Sequence, residues 1–113
     1  MLVTDIEIIR RGQPARGTPI YIGRPSMLGN PYTHQRQAME GTIRVATRGL
    51  AIESYGDWLR SLDADSPQWC ELRRIAALPG PLSLICWCAP LPCHGQIIVD
   101  AVRELRRAAE ITK

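Results

Sequence analysis

Leu82-Ser83-Leu84-Ile85-Cys86-Trp87-Cys88-Ala89-Pro90-Leu91-Pro92-Cys93-His94-Gly95 carries the strongest structural signal in the chain. Its first half, Leu82 to Cys88, is short and apolar on both faces, and turn formers bound it: Pro79-Gly80-Pro81 before, two prolines after. That is the pattern of a buried central strand in a parallel sheet. From His94 to about Ala109, the residues Ile97, Ile98, Ala101, Val102, Leu105 and Ala108 form one apolar helical face, with Arg103, Glu104, Arg106 and Arg107 outside it. Strand, tight turn and amphipathic helix in this order make half of a βαβ unit, and open α/β sheets place ligand crevices at the carboxyl ends of such strands. The turn also carries three of the four cysteines and one of the two histidines.

Working outward, Val3 to Arg10 is rich in β-branched residues with alternating character and predicts a strand, broken by the Gly and Pro of Arg11 to Gly17. A second short strand is expected at Pro19 to Ile22. It runs into Gly23-Arg24-Pro25-Ser26-Met27-Leu28-Gly29-Asn30-Pro31, whose composition demands a sharply defined loop. Thr33 to Arg48 has no clear period and reads as irregular. Ala51, Tyr55, Trp58 and Leu62 recur at helical spacing and predict a helix from about Thr47 to Leu62. Ser66-Pro67 is an N-cap followed by proline in the first turn, opening a helix with Trp69, Leu72, Ile75 and Ala76 on its stripe; Cys70 is assigned to the core with them. These elements predict a small single α/β domain over residues 1–113, a Rossmann-like half with a short, mainly parallel sheet flanked by three helices. Glu110 to Lys113 reads as a loose tail.

A chain of 113 residues, 45% hydrophobic, can bury roughly two-thirds of its unfolded surface in one core. A net charge of +3 permits phosphorylated ligands or nucleic acid but lacks the dense basic stripe of a non-specific DNA binder. No apolar run approaches the roughly 20 residues of a membrane span, and Asp5 and Glu7 stand where a secretory leader is basic and then apolar. These features predict a cytoplasmic protein without membrane contact. In that compartment four cysteines point to buried thiols, a metal site or a catalytic thiol rather than to disulfides.

Two segments, YIGRPSMLGNPY from Tyr21 to Tyr32 and CWCAPLPCHG from Cys86 to Gly95, resemble the family catalogued as domain of unknown function 4326, met in bacteria and their phages. The likeness covers about Tyr21 to Leu105, including Tyr55 and the Trp58-Leu59 pair. More distantly the strand, Cys-His turn and helix resemble domain of unknown function 488. That group usually has Arg after the Cys-His pair, where this chain has Gly95, so no role of that Arg carries over. Neither resemblance implies a defined activity, and the chemistry rests on the residues.

Cys86, Cys88, Cys93 and His94 form a Cys3His set by count, a composition zinc accepts. Their spacing is poor for it. On a strand Cys86 and Cys88 have α-carbons about 6.6 Å apart, whereas sulfurs bound to one zinc converge to about 3.8 Å, and the common Cys-x-x-Cys knuckle is missing. The other reading uses the helix start: unpaired amides there stabilise an anion or a thiolate, so Cys93 is the candidate nucleophile with a depressed pKa and His94 its proton-transfer partner. Gly95 would let a ligand approach the backbone. Against both stands the plain alternative that these cysteines are small buried hydrophobes, the favoured reading for Cys86. Across the crevice, Arg24 offers a planar donor fork and Ser26 and Asn30 neutral donors, unless the latter two only build the turn. Cys88 lies at the strand end as a further lining residue. Trp87 alternates away from the cysteines and is assigned to the core; the arginine pairs Arg10-Arg11, Arg73-Arg74 and Arg106-Arg107 read as solvated surface, and His34 as solvated.

The expected function is recognition, extending to Cys-based turnover, of a small anionic ligand of the nucleotide or nucleotide-sugar class, with no cofactor. The alternative from another class is a zinc-stapled interaction module that binds a host protein or nucleic acid and catalyses nothing.

Overall fold

The computed structural model describes residues 5–35 and 41–111. Val3 and Thr4 of the first expected strand, residues 36–40 of the expected irregular stretch and residues 112–113 of the tail lie outside the described residues. Along the chain run β1 (Ile6–Arg10), β2 (Thr18–Tyr21), β3 (Tyr32–Thr33), β4 (Ile43–Arg44), α1 (Arg48–Ser61), α2 (Pro67–Ala76), β5 (Leu82–Cys86) and α3 (Gly95–Ile111).

The last strand is the centre of the molecule. β5 lies between β1 and β2, parallel to both, with Ile6 opposite Leu82 and Arg10 opposite Cys86 on one side, Thr18 opposite Leu82 and Tyr21 opposite Ile85 on the other. Leu82, Leu84 and Cys86 are almost wholly buried, and so is Ser83 on the other face, which is why the segment reads as apolar without alternation. Ser83 is buried without penalty because its hydroxyl donates to the Glu7 carboxylate and accepts from the Gly17 amide. The Ser83 hydroxyl and the Arg16 amide hold the Glu7 carboxyl below the usual range.

The helices form where their apolar periods demand. Thr47 caps α1 by accepting from Leu50 N at 3.1 Å, and Ser66 caps α2 by accepting from Trp69 N. α1 buries Tyr55 and Leu59, α2 buries Leu72 and Ile75, and α3 buries Ile98, Val99 and Val102, all in one core with β5. α3 touches α1, α2 and β1. Among the described residues no helix is long and apolar enough to cross a membrane.

The α/β fold with its short parallel sheet is as expected, and several details are not. β5 stops at Cys86, two residues early, and the chain bends at Trp87 and Cys88. Alternation therefore fails beyond Cys86, and Trp87 is 57% exposed rather than in the core. Cys70 is exposed as well: it lies one residue, about 100° of helix, beyond Trp69, and its sulfur accepts from Arg73. The irregular stretch contains a small parallel pair, β3 with β4. α3 continues through Ile111, so Glu110 and Ile111 are helical rather than loose. Arg106 is no idle surface charge: its guanidinium donates to the carbonyls of Ala76, Leu78 and Gly80, closing the carboxyl end of α2.

Candidate functional site

At the carboxyl end of β5 the structure opens a cleft of about 280 Å³. One wall is the loop from Gly23 to Asn30 with the following Tyr32 to Gln35; the other is the turn carrying Trp87, Cys88, Pro92, Cys93 and His94; the start of α1 contributes Arg48, Ala51 and Ile52. The crevice sits where parallel-sheet topology places it, because β5 ends between two loops that diverge from it.

The first wall is held by its own side chains. Asn30 Oδ1 accepts from Tyr32 N at 2.9 Å and Asn30 Nδ2 donates to Ala51 O at 3.1 Å, so this residue closes an Asx turn and ties the loop to α1. Arg24 Nη1 donates to Asn30 O at 2.8 Å, which fixes the guanidinium at the cleft while leaving four of its five donors uncommitted to that carbonyl. Tyr21 Oη donates to Arg24 O, and Tyr55 Oη donates to Leu28 O at 2.8 Å from a fully buried ring. Ser26 does not line the cleft; its Oγ is buried without a hydrogen-bond partner.

The second wall contains the thiols. Cys86 Sγ and Cys93 Sγ lie 3.5 Å apart, both buried, and Cys88 is half-buried beside them. The Cys93 thiol donating to the Cys86 sulfur pulls the Cys86 pKa down, the amides of Ala89 and Cys88 add to that, and burial opposes it. The same bond, together with burial, pushes Cys93 up, against a 3.3 Å hydrogen bond from Gly95 N. Two amides favour charge on Cys86 and one on Cys93, so the contact between the two sulfurs lowers Cys86 and raises Cys93. The depressed pKa expected for Cys93 thus falls on its neighbour Cys86, because the helix start reaches the Cys93 sulfur through a single amide.

His94 is 7% exposed, its Nε2 lies 2.7 Å from Ile22 O and its ring meets Tyr55 edge-on at 4.8 Å. Burial holds the imidazole below its ordinary pKa, the Ile22 carbonyl opposes, and the positive charge of Arg24 adds to the depression. This histidine joins the two walls. Its Nε2 is spent on a backbone carbonyl and is not free for proton transfer to a ligand. Gly95, expected to admit a ligand, instead admits the core: a Cβ there would lie 3.1 Å from Cys93 Sγ and from the Cδ1 atoms of Ile8 and Ile22. Nor does the zinc set converge, since among the described residues no group of three or more His, Cys, Asp or Glu side chains is placed to hold a metal ion.

Reasoning from the sequence missed Arg48, Tyr32, Thr33 and Gln35, and set aside His34, all of which line the cleft. Arg48 carried one usable signal: it follows the N-cap Thr47, so its place at the start of α1 was readable, though not which loops that end faces. Trp87 also lines the cleft; its Nε1 donates to Tyr21 Oη at 3.0 Å and the Arg11 guanidinium lies 5.0 Å from its ring.

A family model described as domain of unknown function (DUF4326) matches residues 8–104. The chain belongs to that family. The match begins within β1, earlier than the Tyr21 to Leu105 likeness, and ends within α3, so β2, β5, the rest of β1, the cleft and the first part of α3 fall inside it. It bears out the first resemblance and does not extend to family 488. No curated protein and no solved structure matches the chain.

Proposed function

We propose that this DUF4326 member recognises a small anionic ligand of the nucleotide class in the β5 cleft. One observation carries the reading: the side chains of fixed charge that line the cleft are two arginines, Arg24 and Arg48, with no carboxylate among the described lining residues. In a concave site of lowered dielectric, two guanidinium groups favour an anion and penalise a cation. The volume lies near the lower end of the roughly 300–1,000 Å³ typical of small-molecule pockets, which suits one nucleotide-sized group better than a dinucleotide. Trp87 at the rim supplies a ring for a base, and Arg24 and Arg48 supply donors for its phosphate. Asn30 acts through Arg24 rather than by touching the ligand. If the ligand is turned over, the group placed for attack is Cys86, with Cys93 as its proton partner. All four cysteines are free, as the reducing cytoplasm of a bacterium or of a phage-infected cell would keep them.

The test is thermal unfolding at low salt with a panel of nucleoside monophosphates, nucleotide-sugars and inorganic phosphate. A ligand at 100 times its Kd adds about 2.7 kcal/mol to stability, so a true ligand raises Tm by several degrees and the rise shrinks with added salt. No shift with any member of the panel sinks the reading.

A further inference from the structure

We propose that Cys86 and Cys93 form a thiol–disulfide exchange centre whose reaction partner is a low-molecular-weight organic disulfide, the product being an intramolecular Cys86–Cys93 disulfide. The argument stands apart from the nucleotide reading and rests on the geometry of the four thiols. Only one pair is in sulfur contact among the described hydrogen bonds: Cys86 with Cys93 at 3.5 Å. A disulfide needs about 2.05 Å, so the sulfurs must close by about 1.5 Å. Cys93 lies outside any helix or strand, in the segment between the β5 turn and α3, so its side chain can swing without breaking a ladder. Cys86 is fixed at the end of β5. Both face the cleft, which gives a small disulfide a route to them. Cys88 also faces the cleft but sits two residues from Cys86 without a sulfur contact to it, and Cys70 is on the outside of α2, engaged by Arg73.

The chemistry balances without a metal or cofactor. The Cys86 thiolate attacks one sulfur of the small disulfide; that S–S bond breaks, a mixed disulfide forms on Cys86, and one thiolate leaves and takes a proton from water. Cys93 then loses its proton and attacks the Cys86 sulfur. The second small thiolate leaves with that proton. The protein dithiol is oxidised by two electrons and the small disulfide is reduced to two thiols. Cys86 attacks first and Cys93 resolves, because Cys86 is fixed at the strand end while Cys93, outside helix and strand, is the one free to swing onto a mixed disulfide.

The test treats the reduced protein with oxidised glutathione in the absence of air, followed by acid quenching, alkylation and chymotryptic mapping, in which cleavage after Trp87 separates Cys86 from Cys93. Two of the four thiols should disappear, with Cys86 joined to Cys93 and Cys70 and Cys88 alkylated. Cys93→Ser should stop at a glutathione adduct on Cys86. The proposal is overturned if all four thiols stay alkylatable, if the bridge or the adduct involves Cys88, or if oxidation requires prior removal of stoichiometric zinc. Should Cys93→Ser fail to fold, the map of the unaltered protein decides by itself.

Discussion

The two walls of the cleft are built in opposite ways. Around the Gly23 to Asn30 wall side chains are committed to the backbone, Tyr21 to Arg24, Arg24 to Asn30, Asn30 to Tyr32 and Ala51, and Tyr55 to Leu28, with the buried Ser26 hydroxyl the exception. In the Cys86 to His94 wall two sulfurs, Cys86 and Cys93, face one another, Gly95 N donates to Cys93, and Trp87 and His94 reach across to Tyr21 and Ile22. One wall is a scaffold that leaves guanidinium donors available; the other holds the paired thiols. Arg24 and Asn30 of the Gly- and Pro-rich loop are spent on making the loop, whereas the two buried sulfurs have each other for a partner.

Removing the tie between the walls should cost most. Tyr55 is fully buried, donates to Leu28 O and packs on His94, so Tyr55→Ala is expected to lose about 3–5 kcal/mol in chemical denaturation, as large aromatic truncations in cores do. Next comes the scaffold itself. Asn30→Ala abolishes two hydrogen bonds and leaves Ala51 O and Tyr32 N without those partners, for an expected loss of about 1–3 kcal/mol by the same measurement. A loss within about 0.5 kcal/mol would mean that the loop is held by its glycines and prolines alone, and the contrast between the walls would weaken.

Arg48 sharpens the comparison from the ligand side, because its hydrogen bond to Pro92 O is long at 3.4 Å. Arg48→Gln should leave Tm unchanged while weakening anion affinity about tenfold, or about 1.4 kcal/mol, by calorimetric titration. The last effect is one of pH. Burial holds the folded imidazole of His94 below the ordinary value of 6.5, so the unfolded chain takes up a proton where the folded protein does not. Its share of stability is constant above about 6.5, falls as pH drops through that value and levels off only below the folded pKa. Denaturation midpoints measured from pH 8 to 5 should show this fall, and His94→Gln should flatten it.

Much of the architecture was legible because burial leaves a periodic record. The doubly apolar run of β5 and the stripes of α1, α2 and α3 follow from which faces meet the core, and the Ser66 cap from unpaired amides at the start of α2. What failed had no local record. The end of β5 at Cys86 depends on where its neighbours stop, so Trp87 and the orientation of Cys88 could not be read from alternation. The two-residue strands β3 and β4 are too short to carry a period. The role of Arg106 requires knowing that α2 ends against α3. At the site, Arg24, Asn30, Cys88, Cys93 and His94 line one crevice, while the contact between Cys86 and Cys93 depends on a sulfur separation that spacing does not contain.

The central claim is that the cleft between these walls is an anion site, and amide chemical-shift mapping tests it most directly. On titration of the isotopically labelled protein with a nucleoside monophosphate at low salt, the account predicts saturable shifts confined to Gly23, Arg24, Tyr32 to Gln35, Arg48, Cys88, Cys93 and their neighbours. No shifts, or shifts centred on the outer face of α3 around Arg103 and Arg107, would contradict it.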